Sequence, residues 1–415
     1  MGNDIKMQYE SRLKRFNDSV SLKEPDRVPL IPVTHGFPIH YAGGTYSECM
    51  ADWEAAGRCL DIYYKDFKPD IGWDPVQWYP AKYLEEVGIT WFRWPGKQIE
   101  EPNVMYQYIE DEYMKENEYS EAIHDMTKFM MNKWVPRSFS KLGGFSKLDF
   151  RNSMWFGHMA TLASFGLPEV QSSLKAAMAA GENLLAWFDY LAKYDEKMET
   201  EFGIPVAYAT FAFAPFDMIG DTLRGTLGIL YDINDHGEEL LELIDKVTDY
   251  AIKDAIDAAK ATGRKNVWMW LHKGLDSFMS DEVFKTFYWP SLRKMITEIA
   301  QAGLTPMVYV EGKYDTRLSY LTEVPKSKVV YLFEDVDMGN AKKILKDTAC
   351  IAGNVPNTML AFGKKQEVVD YCKWLIDTCA PGGGYMMDTS ATLDEAKTEN
   401  VIAMFETTKT YGKRK

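Results

Sequence analysis

From about residue 200 to the end of the chain, short apolar runs rich in Val, Tyr, Phe and Trp alternate with amphipathic helical stretches. No other feature restricts the fold as much. Apolar runs of this length, bounded by turn residues, read as buried strands, and the periodic stretches between them read as helices. The strand runs are VAYATFAF (206–213), NVWMWLH (266–272), TPMVYVEG (305–312), VVYLFED (329–335), ACIAGN (349–354) and GGYMMDT (383–389). Helices are expected over 220–262, 280–302, 313–323, 337–347, 364–379 and 393–410. In the second of these Ser280 stands as the N-cap, acids follow in the first turn, and Gly303 marks the stop.

Two earlier runs, VPLIPVTH (28–35) and the IGWDP region (71–75), bring the strands to eight. Alternating strands and helices imply a parallel α/β sheet covered by helices. Eight such strands close most simply into a (β/α)8 TIM-type barrel. On this reading residues 1–415 are a single barrel domain, and 76–200 is a large insertion after the second strand. The insertion is rich in aromatic residues, as in VQWYPAKYLEEVGITWFRWPGK. It is expected to be a helical lid over the barrel mouth, or else extra packing or a subunit interface.

Charge and composition narrow the partners. A net charge of −14 argues against a nucleic-acid or anionic-membrane partner, because both need a basic surface. No apolar run reaches the length of a membrane span, and the first residues have no signal-peptide core. The five cysteines include no CxxC, which suits reduced thiols and a cytoplasmic location. There is no GxGxxG, GxxxxGK[ST], HExxH or GxSxG.

In a parallel barrel the chemistry sits at the C-terminal ends of the strands. Those ends carry His35, Asp74, Phe213 with Asp217, His272, Glu311, Glu334 with Asp335, Asn354 and Asp388. Imidazole and carboxylate donors on converging strands suit Zn²⁺ or a similar first-row ion. Helix capping is the competing reading, above all for Asp217 and Asp388. For Glu311 a structural ion pair with Lys313 competes. A carboxylate at the end of an apolar strand is costly unless it is paired or metal-bound.

Several stretches resemble the uroporphyrinogen decarboxylase superfamily: EPDRVPLIPVTHGF, APFDMIGDTLRG, FMSDEVFKTFYWPSLRKMITEIAQAG, GNVPNTMLAFGKKQEVVDYCKWLIDTCAPGGGYMMDTS and TLDEAKTENVIAMFE. The resemblance covers roughly 20–75 and 200–410. Decarboxylases of that superfamily carry an arginine-rich segment near the first strand. Here the segment is VTHGFPIHYAGGTY, without Arg, so a polycarboxylate substrate would lack cationic partners. The other branch is corrinoid-dependent methyltransferases. Its thiol-methylating members resemble one another in an H-x-C-G zinc motif and a later Cys. The matching positions here are Tyr309-Val310-Glu311-Gly312 and Ser390, with both thiolates absent.

Oxygen and imidazole ligands leave a metal harder and more Lewis-acidic than thiolates do. The resemblance therefore implies an O-demethylase methyltransferase. Such an enzyme moves the methyl group of a methoxylated, aromatic substrate to Co(I) of a corrinoid protein. The expected roles follow. His272, Glu311, Asp388 and Glu334 hold zinc, with Asp335 as a substitute. Tyr309 or His35 protonates the leaving phenolate. Asn354, Trp270 and Phe213 bind substrate, and Trp268 is core. The alternatives are a decarboxylase-like lyase and a thiol, amine or pterin methyltransferase. A homodimer is the assembly expected of the superfamily.

Overall fold

A closed parallel barrel organises the chain in the computed structural model, which describes residues 2–151 and 153–413. Six regular strands, Thr210–Phe213, Asn266–Leu271, Thr305–Lys313, Val330–Asp335, Cys350–Ala352 and Tyr385–Met386, pair in sequence order and in parallel. The two earlier runs complete the circle through single bridges instead of regular ladders. Leu30 pairs with Met387 and Gly72 with Val206, and Asp70 N donates to Leu30 O. The first stave thus lies between the second and the eighth. Pro29, Pro32, Pro75 and Pro205 explain the broken ladders, because proline has no N–H to donate.

Strand alternation divides the side chains between two cores. One face of each stave fills the barrel interior, where Trp268, Met307, Tyr309, Val330, Leu332 and Met386 form one cluster. The other face meets the surrounding helices. Helix Gly237–Thr262, for example, buries Leu240, Leu243, Ile244 and Val247 at helical spacing. The N-terminal helix Asn3–Val20 closes the barrel bottom, because its Phe16 and Val20 join the interior cluster. Beside them Asp70 accepts from Arg15 Nη1 at 2.6 Å and Arg27 Nη1 at 2.7 Å. The C-terminal ends of the staves are left for chemistry.

Two expected helices are corrected. The 220–262 stretch breaks into a wide turn Gly220–Arg224 and helices Gly225–Asp235 and Gly237–Thr262. Gly225 takes φ +71°, a conformation a helix interior does not use. The 313–323 stretch is a loop with one short turn, Tyr320–Thr322. Its polar groups are tied to the neighbouring loop instead: Thr316 N donates to Asp276 and Arg317 pairs with Asp281.

The 76–200 segment is largely helical, dominated by Pro168–Lys197, with one small antiparallel pair, Phe92–Arg93 with Gln107–Tyr108. Its Phe92, Trp94 and Tyr106 are part of the outer core. Residues 110–114 lie against the segment that follows the third stave. Met114 N donates to Leu223 O, and Thr226 N donates to Glu110. Among the described residues no helix is long and apolar enough to cross a membrane.

Candidate active site

The site begins with a defect in one strand. The register between Thr305–Lys313 and Val330–Asp335 shifts after Val310, so Glu311 and Gly312 bulge before pairing resumes at Lys313 and Asp335. Bulges redirect side chains and recur next to active sites. Gly312 has φ +75°, and a Cβ there would stand 2.7 Å from Leu275 Cδ1, so only glycine fits. The bulge frees Gly312 N, which donates to Glu334 Oε2 at 2.6 Å. Glu311 itself receives no hydrogen bond or ion pair among the described residues. Lys313, the expected competitor, turns to Asp315 at 3.7 Å. Burial holds the Glu311 carboxyl above its ordinary range; His272 lowers it, while Glu334 and Asp221 push it further up.

His272 ends the fourth stave. Its Nδ1 lies 2.6 Å from Asp221 Oδ2, and its Nε2 has no partner among the described residues. Burial works against the charged ring. The Asp221 hydrogen bond and the charges of Asp221, Glu311 and Asp217 outweigh it and raise the imidazole to about 9. His272 is therefore an imidazolium at neutral pH. Asp221 is held ionised despite its burial by His272 and by Lys273, whose Nζ lies 2.8 Å away. Lys273 also donates to Thr226.

Asp217 is no helix cap. It accepts from His272 N at 2.8 Å, Lys273 N at 3.1 Å and Tyr288 Oη at 2.7 Å, which secures the turn after the fourth stave. Burial and the charge of Asp221 raise it to about 7.

Aromatic rings line the barrel beneath and beside His272. Trp270 stacks on Phe213 with centroids 6.0 Å apart, Phe213 meets the His272 ring edge-on at 5.8 Å, and Phe211 lies 5.3 Å from Trp270. Trp73, on the neighbouring second stave, packs against Phe211 and Trp270. Trp268 is core, as expected, and donates Nε1 to Ala207 O. Tyr309 is two residues before Glu311 on the same face, so it belongs to a layer one step deeper.

The uroporphyrinogen decarboxylase (URO-D) family model matches residues 173–411, more than half of the chain. The chain belongs to the uroporphyrinogen decarboxylase family. A solved methyltransferase from Methanosarcina mazei has the same fold, with a TM-score of 0.61 at 12% identity, covering 96% of this chain and 98% of that one. A B12-independent methionine synthase from Shewanella sp. W3-18-1, solved with selenomethionine, matches 48% of this chain and 59% of its own at 11% identity and TM-score 0.34. No curated protein sequence matches the chain.

Within this uroporphyrinogen decarboxylase fold, the expected site residues part into two groups. Trp270, Phe213, His272 and Glu311 share the mouth. His35 is engaged away from that group. It is buried, its Nδ1 lies 2.8 Å from Tyr46 Oη and its Nε2 3.2 Å from Tyr106 Oη. Burial presses it down to about 4, so it is neutral. Asn354 presents no free group to a substrate. Its amide donates to Glu334 O and Val336 O and accepts from Tyr371, clasping the sixth and seventh staves. Asp388 is likewise not a helix cap; its Oδ1 accepts from Val33 N and Thr389 N, joining the first and eighth staves.

The zinc set is not brought together. Among the described residues no group of three or more His, Cys, Asp or Glu is arranged to hold a metal ion. Glu334 Oε2 accepts from Gly312 N and Asp388 Oδ1 links the first and eighth staves, while His272 Nε2 and Glu311 stand without a partner among the described residues. The four expected ligands therefore do not converge on one point where a zinc ion would sit.

Asp221 and Lys273 escaped the sequence reading. A signal existed for Asp221, which follows Asp217 by four residues and so shares its helical face. Nothing local announced Lys273 or Trp73.

Proposed function

We propose that this family member is a methyltransferase that removes the methyl group of an aryl methyl ether and passes it to Co(I) of a corrinoid carried by a partner protein. The observation that supports this most is the His272 imidazolium. It is anchored by Asp221 through one nitrogen, unpartnered at the other, and set beside the unpaired Glu311 over aromatic walls. An ether is cleaved when its oxygen can leave, and a phenolate leaves more readily as it is protonated.

His272 Nε2–H donates to the ether oxygen. As the cobalt nucleophile takes the methyl carbon, the carbon–oxygen electron pair passes to oxygen. The His272 proton then completes the phenol. Asp221 keeps the ring oriented and charged, and Glu311 adds negative charge that favours the imidazolium before transfer. The rings of Trp270 and Phe213 exclude water and bind the flat substrate. The methyltransferase description of the Methanosarcina mazei protein of the same fold is consistent with this reading.

The charge of the mouth argues against decarboxylation of a polycarboxylate. Asp217, Asp221, Glu311 and Glu334 stand there with His272 and Lys273, while Arg224 and Arg317 are engaged by Asp232 and Asp281.

The test is anaerobic incubation with Co(I) cobalamin and a panel of methoxyarenes, followed by the cobalt visible spectrum. Methylcobalamin is expected, with a rate reduced about 10²–10⁴-fold in His272→Gln. Absence of methylcobalamin with every donor, or full activity in His272→Gln, overturns the assignment.

A further inference from the structure

Helix Pro168–Lys197 carries two apolar faces. One is accounted for: Val170, Ala180, Trp187, Leu191 and Tyr194 are buried against the rest of the chain. The other is not. Leu174, Met178, Gly181, Leu185 and Phe188 follow one another at spacings of four, three, four and three. That is the repeat of about 3.5 residues by which two helices pair along a seam. Met178, Leu185 and Phe188 are 65%, 70% and 53% exposed, and a Cβ on Gly181 would meet nothing within 4 Å. Glycine inside a helix costs stability, but it lets a second backbone approach closely.

The chain leading into this helix adds to the surface. Trp155, Phe156, Met159 and Leu162, in and just before the short helix Gly157–Ser164, are exposed by 89%, 76%, 55% and 65%. Counting the seam, ten large apolar side chains between residues 150 and 188 are exposed. At about 150–250 Å² for a whole aromatic side chain, these ten present on the order of 1,000 Å². The largest apolar patch on a typical monomer is roughly 300–600 Å², whereas a stable interface takes about 800 Å² from each partner.

We infer that a second copy of this chain covers this surface, helix Pro168–Lys197 pairing antiparallel with itself about a two-fold axis beside Gly181. The seam is self-complementary in that arrangement. Leu174 lies opposite Phe188 of the partner subunit, Met178 lies opposite Leu185 of the partner subunit, and the backbones cross at glycine. On the rim Lys175 comes across from Asp189 of the partner subunit, opposite in charge; within its own chain Asp189 also holds Lys193 at 2.6 Å. Glu182, beside the axis, meets its own copy, the one like-charge contact of the pairing. An anionic membrane does not match this face, whose rim carries Glu182 and Asp189 in a chain of net charge −14.

Light scattering of the full chain over a dilution series should give twice the 47.6 kDa mass of one chain. The double variant Met178→Glu/Leu185→Glu should raise the dissociation constant about a hundredfold or more. Its far-UV circular dichroism should match the parent, because both side chains are exposed within one chain. Ala186→Glu, on the polar side of the same helix, should stay dimeric, and Glu182→Gln should tighten the pair severalfold. Gly181→Cys should cross-link to its own copy with diamide, without competition from the five native cysteines, which are buried. A chain that is monomeric at every concentration, or a dimer that survives Met178→Glu/Leu185→Glu, overturns the interface. A dimeric Gly181→Cys protein that does not cross-link, or a Glu182→Gln dimer no tighter than the parent, overturns the antiparallel register.

Discussion

Asp221 Oδ2 lies 2.6 Å from His272 Nδ1 and holds that ring as an imidazolium. Replacing the carboxylate by the neutral Asp221→Asn should bring the His272 titration down from about 9 toward its ordinary 6.5. Because the native value is raised, the pair's contribution to stability is full below 6.5 and is lost as pH rises through about 9. The alkaline limb of the transfer rate should move the same way. An NMR titration of the His272 ring protons reads the shift, and an unmoved titration would remove Asp221 from the site.

Glu311 acts on His272 through charge alone, with no hydrogen bond between them. Glu311→Gln should leave the fold intact, lower the His272 titration by less than Asp221→Asn does, and slow transfer by roughly tenfold. Equal transfer rates and titrations in the variant and the parent would contradict a role for this carboxylate.

Asp388 is raised to about 7 by burial, against the lowering hydrogen bonds from Val33 and Thr389. Its ordinary value is 3.8, so the folded protein holds this proton more tightly than the unfolded chain. That contribution is full below 3.8 and is lost as pH rises through about 7. Asp388→Asn should therefore lose less melting temperature than the parent between pH 4 and pH 8. Thermal melts across that range decide it; parallel curves would show that Asp388 ionises freely.

At the other end of the barrel Asp70, fully buried, accepts from Arg15, Arg27 and Leu30 N. Asp70→Ala leaves the largely buried Arg15 and Arg27 without this partner, at a cost of about 3–5 kcal/mol. Urea denaturation should show that loss, while the transfer rate per folded molecule stays unchanged because the bottom face takes no part in chemistry. A lowered rate in folded Asp70→Ala would place function where the fold does not.

The barrel was legible because strands and helices have different periods. Runs such as TPMVYVEG and NVWMWLH marked their staves, and the same period of two put Trp270, His272, Tyr309 and Glu311 on the inner face. The proline-rich 28–35 and 71–75 runs were also placed correctly, although they pair only through single bridges. The helix expected over 313–323 failed because periodicity does not reveal that Thr316 and Arg317 are bound by Asp276 and Asp281 across a loop.

Side-chain identity at the strand ends was thus a property of the sequence, while partnership was a property of the fold. Whether His35 is an acid or a neutral buried ring depends on Tyr46 and Tyr106. Tyr106 is 71 residues away in the insertion. Whether Glu334 is a ligand depends on a bulge that frees one backbone N–H. Alternation along a strand is local and survives in the sequence. Hydrogen-bond partners, burial and the titration they set arise only when distant segments meet, and these decided that His272 is charged and Glu311 is unpaired.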